Sequence, residues 1–238
     1  MIYAALVAGG SGTRMKNAPM PKQFLQLEGE AIITIALRTF YELEQIDQIY
    51  VGINPDWYDY TRELFVGCGF DMHRVKLVKG GADRNSTVMN ILDSVKAEHD
   101  ISQGDVILTH DAVRPFVSKQ IILDNIACAK KFSACGTYIP TNDTIIRSLD
   151  GETVRENLVR SQLMRAQTPQ SFELSALCSC IEKLGEDRVR ELTDTCGIFT
   201  ECGYPIHIVS GSEDNFKITT EFDLSIAKFL YNKYIKPL

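Results

Sequence analysis

Apolar runs and amphipathic segments alternate from the start of this 238-residue chain. The apolar runs predict strands near residues 2–8, 48–53, 74–79 and 105–110. Apolar residues at helical spacing, such as Ile32, Ala36 and Phe40, predict helices near 31–44, 56–67, 85–98 and 118–132. Asn85 stands at the expected N-cap of the third helix. We therefore expect an α/β chain with a single Rossmann-like, doubly wound and mostly parallel sheet, whose ligand crevice lies at the carboxyl ends of the strands.

The alternation weakens between about residues 140 and 167. There, two segments of strand character flank Asp150-Gly151, a dipeptide typical of hairpin turns. We expect a β-hairpin that projects from the sheet as an arm. Ile145, Leu149, Leu158 and Val159 make this arm too apolar to stand alone in water, so we expect it to pack on a second copy and form a homodimer.

The remainder of the chain completes one domain that spans residues 1–238. Helices are expected near 174–185 and 193–202, a strand at 206–210 and a last helix from Thr220. Composition agrees with a folded globular protein, since 45% of the residues are hydrophobic and 24% are charged. A net charge of −6 argues against a nucleic-acid surface.

No apolar run is long enough to span a bilayer, and the first residues lack the basic region and cleavage site of a signal peptide. We therefore expect a cytoplasmic protein without a membrane partner. The seven cysteines have no spacing typical of zinc or redox pairs, and we interpret them as structural. His110, at the end of the fourth predicted strand, is expected to form hydrogen bonds and not to bind zinc.

The strongest chemical signal follows the first strand, in the sequence Ala8-Gly-Gly-Ser-Gly-Thr-Arg-Met15 and then Pro21-Lys-Gln-Phe24. Glycines let the backbone approach an anion, while Arg14 and Lys22 supply positive charge, so this segment predicts a nucleotide triphosphate site. The spacing excludes a Walker A loop. A dinucleotide fingerprint fails because Met15 stands at its last small position, and a nucleophile elbow fails because Thr13 replaces its second glycine.

Acidic residues follow two of the predicted strands. Asp111 ends the strand near 105–110, and Asp214 lies in the loop after the strand at 206–210, three residues before Lys217. A hard cation such as Mg²⁺ takes carboxylate and phosphate oxygens, so both aspartates are candidate ligands, with Lys217 as a cation for the reacting phosphoryl group. Asp111 could also cap a helix or pair with Arg114, and the Asp214 segment could be an ordinary surface turn.

A third glycine turn, Gly80-Gly-Ala-Asp-Arg-Asn-Ser-Thr87, opens the helix near 85–98 and is a candidate site for a base edge or an anion. Together these segments predict phosphoryl or nucleotidyl transfer without a covalent nucleophile. Two alternatives stay open: a nucleotide-binding regulatory protein without turnover, and a sugar-1-phosphate nucleotidyltransferase that uses UTP or dTTP. The acids beside Lys217 favour an enzyme over a binder.

Seven ordered motifs resemble the cytidylyltransferases that act on sugar-alcohol phosphates. Three of them are described above: the glycine segment after the first strand, Pro-Lys-Gln-Phe, and the glycine turn of residues 80–87. The other four are Thr-His-Asp-Ala-Val-Arg-Pro-Phe, Gln-Thr-Pro-Gln-Ser-Phe, Leu-Thr-Asp and Lys-Ile-Thr-Thr. The Thr-His-Asp motif and the arm disfavour the UTP or dTTP enzymes.

The resemblance implies a role for each candidate residue. Those for cytosine and ribose are Ala8, Gly9, Gly10, Gly81 and Thr87. Arg14 and Lys22 would hold the triphosphate, Asp111 and Asp214 would ligate Mg²⁺, and Lys217 would stabilise the α-phosphorus during in-line attack. Thr144 and Arg160 of the partner's arm would hold the polyol phosphate, with Arg114 nearby.

Smaller sequence differences within these motifs separate two branches of this family. Ala8-Gly9-Gly10, Val113–Phe116 and Thr193–Cys196 resemble the ribitol-5-phosphate branch, which makes CDP-ribitol for teichoic acid or capsule polymers. Ala166-Gln167 departs from that branch. The expected acceptor is therefore D-ribitol 5-phosphate, with 2-C-methyl-D-erythritol 4-phosphate of isoprenoid synthesis as the alternative.

Overall fold

The computed structural model describes residues 1–10 and 20–234. Its described strands are β1 (Ile2–Ala8), β2 (Gln26–Leu27), β3 (Glu30–Ala31), β4 (Gln48–Ile53), β5 (Val75–Lys79), β6 (Val106–Asp111), β7 (Ala134–Pro140), β8 (Ile146–Arg147), β9 (Glu156–Asn157), β10 (Met164–Glu173) and β11 (His207–Ser210). The helices are α1 (Ile32–Tyr41), α2 (Tyr58–Gly67), α3 (Arg84–Glu98), α4 (Lys119–Phe132), α5 (Leu174–Leu184), α6 (Glu186–Glu191), α7 (Thr195–Glu201) and α8 (Glu221–Tyr234).

Seven strands form the central sheet, in the order β11-β7-β10-β6-β1-β4-β5. Strands β1, β4, β5 and β6 pair in parallel with one another, and β7 pairs in parallel with β11, whereas β10 lies between β6 and β7 and is antiparallel to both. The expected mostly parallel sheet is confirmed. Because β1 lies between β4 and β6, the chain reverses its direction of winding there, and this switch point opens a crevice at the carboxyl ends of β1 and β6.

Both faces of the sheet are covered, as the doubly wound prediction requires. Along β1, Ala4 and Leu6 point into one apolar core, which contains residues of α1 and α4. Tyr3 and Ala5 point into a second core with residues of α3 and α5 on the opposite face. A strand buried on both faces is apolar at every position, which is why β1 is a continuous apolar run.

The arm leaves the sheet at the end of β7 and returns at the start of β10. Within it, β8 and β9 form a two-stranded antiparallel pair around the Asp150-Gly151 turn, and Gly151 has a positive φ of 77°. Asp150 closes this turn, since its carboxylate accepts hydrogen bonds from the backbone N–H groups of Glu152 and Thr153. The predicted projecting hairpin is therefore present in the structure.

One expectation about local structure needs correction, and two strands were not foreseen. Asp83, and not Asn85, caps α3: the Asp83 side chain accepts from the backbone N–H of Ser86 at 2.8 Å, whereas Asn85 is buried and donates to the carbonyls of Val189 and Leu192. The long strands β7 and β10 were not expected from the sequence. Among the described residues, no helix is long and apolar enough to cross a membrane.

Candidate active site

A cavity of about 240 Å³ opens at the carboxyl ends of β1 and β6. Four segments that the sequence singled out meet in its wall. The first strand and the glycines after it form one side, the turn before α3 forms another, and the end of β6 faces the loop between β11 and α8. The lining residues include the expected site residues Ala8, Gly9, Gly10, Lys22, Gly81, Thr87, Asp111 and Lys217. Arg14 lies outside the described residues, so its expected role stays a prediction.

Thr87 ties the two glycine segments together. Its hydroxyl accepts from the backbone N–H of Gly81 at 3.1 Å and donates to the carbonyl of Asp83 at 2.9 Å. A Cβ at Gly9 would lie 2.8 Å from this hydroxyl oxygen, and a Cβ at Gly81 would lie 2.3 Å from the Cβ of Ser86. Glycine is therefore needed at both positions for close contact, which leaves backbone on the cavity wall where a base or ribose could approach.

Gln23 contacts the end of β1, a role that its place in the Pro-Lys-Gln-Phe motif did not predict. Its buried side-chain amide donates to the carbonyl of Ala8 at 2.9 Å and to that of Gly10 at 3.3 Å. Two hydrogen bonds from one fixed amide hold the end of β1 against the short helical turn that carries Lys22. Gln23 thus links the glycine segment to the Lys22 cation.

Asp111 is the electrostatic centre of the site. Its carboxylate pairs with the Nε of Arg84 at 3.0 Å, the Nζ of Lys217 at 2.9 Å and the Nε of Arg114 at 3.4 Å. Burial by itself raises the pKa of Asp111, but the positive charges of Arg84, Lys217 and Arg114 outweigh it and hold this pKa well below its usual range. Asp111 is therefore a stable anion that gathers three cations at the cavity.

Arg84, in the glycine turn of residues 80–87, is a second site residue for which the sequence predicted no role. Besides its bond to Asp111, it donates from Nη1 to the hydroxyl of Thr195 at 2.8 Å. Its Nη2 is buried and has no hydrogen-bond partner among the described residues. A buried guanidinium nitrogen without an acceptor is costly, and a phosphate oxygen in the adjoining cavity would supply one.

Asp214 does not share this cavity with Asp111. It lines a neighbouring cavity of about 360 Å³, between the Pro115–Ser118 segment and the end of α8, where its carboxylate accepts from the hydroxyl of Tyr234 at 3.0 Å. Within the described part of the chain, no group of three or more His, Cys, Asp or Glu side chains could hold a metal ion. A metal role for Asp214 stays a prediction.

His110 forms hydrogen bonds at the end of β6, as expected. Its Nδ1 lies 3.0 Å from the hydroxyl of Thr168, and this hydroxyl accepts from the backbone N–H of Asp111 at 3.1 Å. Its Nε2 lies 3.1 Å from the carbonyl of Arg114. Burial lowers the pKa of His110 to about 4, so the ring is neutral at pH 7 and can donate to one partner while accepting from the other.

The arm residues Thr144 and Arg160 lie away from this cavity and are exposed to solvent. The Nη1 of Arg160 donates to the carbonyl of Asn142 within the arm, at 3.2 Å. Arg114, by contrast, is largely buried beside Asp111 and donates from Nη1 to the carbonyl of Asn215 at 2.9 Å. The chain's own site thus contains one of the three residues expected to hold the acceptor.

Comparison with known proteins agrees with this geometry. A family model described as IspD, 2-C-methyl-D-erythritol 4-phosphate cytidylyltransferase, matches residues 2–233. This chain belongs to the IspD family. Its members are cytidylyltransferases, and so is this chain. The resemblance drawn from the motifs is confirmed at the level of the family, while ribitol phosphate as the acceptor is not.

Solved structures of the IspD family are similar along nearly the whole chain. The 4-diphosphocytidyl-2C-methyl-D-erythritol synthase of Anaerococcus prevotii is 28% identical with a TM-score of 0.80, and the match covers 97% of this chain and 95% of that one. The 2-C-methyl-D-erythritol 4-phosphate cytidylyltransferase of Francisella tularensis is 27% identical with a TM-score of 0.80, over 96% and 98% of the two chains. The Rossmann-like fold is thereby confirmed.

Proposed function

We propose that this cytidylyltransferase joins the cytidylyl group of CTP to a polyol phosphate. A phosphate oxygen of the acceptor attacks the α-phosphorus of CTP, the bond from that phosphorus to the bridging oxygen breaks, and pyrophosphate leaves with the electron pair. One observation carries the proposal: three cations converge on Asp111 at the wall of a glycine-lined cavity. This arrangement suits a reaction in which negative charge develops on phosphoryl oxygens and no covalent nucleophile is needed.

The residues divide into a nucleoside side and a phosphate side. Cytosine and ribose would lie against the backbone of residues 8–10 and of Gly81, where the Thr87 hydroxyl fixes the Gly81 turn. Lys22 and Arg14 would hold the triphosphate, and the Nη2 of Arg84, which has no partner among the described residues, would donate a hydrogen bond to a phosphate oxygen as well. Lys217 would stabilise the α-phosphoryl group as its charge increases.

A divalent cation, Mg²⁺ by expectation, fits this donor set. Mg²⁺ in phosphoryl-transfer sites is held by one or two carboxylates together with substrate phosphates and waters. Asp111 lies on the cavity wall, and despite its burial the charges of Arg84, Lys217 and Arg114 hold its pKa well below the usual range, so its carboxylate would provide the protein ligand. When bound there, the ion would neutralise charge on the triphosphate and on the leaving pyrophosphate. Asp214 would have to exchange its Tyr234 partner to take part.

The acceptor that the comparisons support is 2-C-methyl-D-erythritol 4-phosphate, because the matching family model and the Francisella tularensis structure carry that substrate in their descriptions. The Anaerococcus prevotii structure is described as a synthase of 4-diphosphocytidyl-2C-methyl-D-erythritol. D-ribitol 5-phosphate is the second candidate, and it is supported by the amino-acid sequence of residues 113–116 and 193–196. One of these segments has a scaffold role: Asp194 caps α7 by accepting from the backbone N–H of Gly197 at 2.9 Å. The sequence of residues 193–196 is therefore explained by this cap and says little about which acceptor is used.

Pyrophosphate release from CTP and Mg²⁺ tests the proposal, with the two polyol phosphates assayed in parallel. Turnover with methylerythritol phosphate at a kcat/KM at least tenfold above that with ribitol phosphate would support the first acceptor, and the reverse ratio would support the second. CTP binding without turnover on either acceptor would contradict catalysis and favour the regulatory binder. Release of pyrophosphate with glucose 1-phosphate and UTP would contradict the choice of substrates.

The proposal includes a homodimer in which the arm completes the partner's site. The exposed arm carries large apolar side chains: Leu149 is 82% exposed, Val154 61% and Val159 59%. Such side chains lose their contact with water when a second copy covers them. The arm's Thr144 and Arg160 would then reach the acceptor phosphate of the other subunit.

Arg160→Ala should raise the KM for the polyol phosphate about tenfold or more and leave the KM for CTP nearly unchanged, because a charged hydrogen bond to phosphate contributes about 1.5–3 kcal/mol. Steady-state pyrophosphate release with each substrate varied measures this. Arg147→Ala on the same arm is the matched control, since Arg147 is exposed and pairs with Glu156. A mixed dimer of Arg160→Ala and Lys217→Ala subunits should regain roughly half the activity, because one of its two sites is complete. No recovery in verified mixed dimers would contradict action across the interface.

A further inference from the structure

The loop that carries Lys217 is held by the strand that returns from the arm. This loop, residues 211–217, follows β11 and precedes α8. Gln167, on β10, is 4% exposed and lies against the start of the loop. Its Nε2 donates to the carbonyl of Ser212 at 2.8 Å, and its Oε1 accepts from the backbone N–H of the same residue at 3.3 Å. One side chain therefore fixes both the backbone N–H and the backbone carbonyl of Ser212.

The same Oε1 also accepts from the side-chain amide of Asn215, at 3.2 Å. Asn215 is fully buried, donates to the carbonyl of Thr168 at 2.8 Å, and accepts from Arg114 on its own carbonyl. On the far side of Lys217, the backbone N–H of Ile218 donates to the carbonyl of Val113 at 2.9 Å. Residues 216 and 217 thus lie between two fixed positions, Asn215 and Ile218. Gln167 helps to fix the first of these, Asn215.

Gly211 shows how closely the loop approaches Gln167. A Cβ at Gly211 would lie 2.4 Å from the Oε1 of Gln167 and 3.0 Å from side-chain carbons of Thr137 and Ile139. Only a residue without a side chain allows the loop to pass this close to β10 and β7. The backbone of the loop is therefore fitted to the Gln167 amide.

We propose that Gln167 is a positioning residue for Lys217, and this inference rests on the role of Lys217 in the proposed function. The Gln167 amide does not line the cavity. It sets the path of the 211–217 loop so that the Lys217 ammonium lies 2.9 Å from Asp111, at the place where the α-phosphoryl group is expected. Because catalysis by a fixed charge depends on its position to about an ångström, loosening this loop should reduce turnover.

Gln167→Met tests this inference, because it keeps the side-chain length and removes all three hydrogen bonds. We expect kcat to fall by about tenfold to a hundredfold, while the Kd for CTP changes less than about threefold. In a Lys217→Ala background the same substitution should lower kcat less than about twofold, since a residue that acts through Lys217 has nothing left to position. Pyrophosphate release and calorimetric CTP binding measure these quantities.

Ser171→Ala is the matched control, because Ser171 is fully buried on the same strand and donates to Asn125, away from the loop. It should lower the stability and leave kcat within about twofold of the wild type. If Gln167→Met does not fold, Gln167→Glu takes its place. This variant keeps the acceptor for Ser212 and Asn215 and loses only the donor to the Ser212 carbonyl, so its kcat should fall more than about twofold below that of the wild type and less than about a hundredfold.

An unchanged kcat for the folded variant would overturn the inference, as would an equal fall in kcat with and without Lys217. A fall no larger than that of Ser171→Ala would also overturn it, since general destabilisation would then explain the loss. Failure of the wild-type protein to release pyrophosphate with either acceptor would instead contradict the proposed function itself.

Discussion

Lys217→Ala should lower kcat by about 100- to 1,000-fold and leave the Kd for CTP within about threefold of the wild-type value. The ammonium of Lys217 faces Asp111 across 2.9 Å at the wall of the cavity, and its side chain is about one-third exposed. Negative charge on the α-phosphoryl group is greatest in the transition state. A cation placed there therefore stabilises the transition state more than bound CTP, and its removal affects turnover first.

The measurement combines single-turnover pyrophosphate release with calorimetric CTP binding. Lys228→Ala serves as the control, because Lys228 is exposed on α8 and lies outside the cavity. The control should match the wild type in both quantities. A tenfold loss of CTP affinity with an intact kcat would place Lys217 in substrate binding instead of chemistry. That result would also remove the basis for a positioning role of Gln167.

The parallel half of the fold could be predicted because its strands are apolar on both faces. Strands β1, β4, β5 and β6 begin and end within about a residue of the expected positions. Strands β7 and β10 were missed for a physical reason. Their segments contain Gly136, Thr137, Gln167, Thr168 and Gln170, all buried through hydrogen bonds or close packing that depend on residues distant in sequence. Hydrophobic periodicity does not reveal strands of this kind.

The position of the site could also be predicted, since strand ends and glycine turns mark it locally. The ion pairs within the site could not be predicted. The sequence offered an ion pair with Arg114 as one alternative for Asp111, and this pair is present, but Arg84 and Lys217 reach the same carboxylate from distant segments. Likewise, Asp214 and Lys217 lie three apart in one loop, yet their side chains face different cavities. The topology of the sheet brings residues that are distant in sequence together, and it therefore decides which side chains pair.

Asp111→Asn should destabilise the fold by about 3–5 kcal/mol and abolish measurable turnover. The substitution keeps the shape of the side chain and removes its charge. Arg84, Arg114 and Lys217 would then face one another around a neutral amide, with side chains only 19%, 11% and 32% exposed. Removing one partner of a buried ion pair costs more folding free energy than the intact pair contributed, because the desolvation of the remaining cations is no longer compensated.

Urea denaturation followed by circular dichroism measures the loss, with Glu213→Gln as the matched control. Glu213 also pairs with an arginine, Arg165, but its side chain is 61% exposed, so the control should lose less than about 1 kcal/mol. Equal losses in the two variants would show that burial does not strengthen the Asp111 pairs. A stable Asp111→Asn protein that still turns over would contradict both the electrostatic centre and the role of Asp111 as a cation ligand, because either role requires the negative charge on this carboxylate.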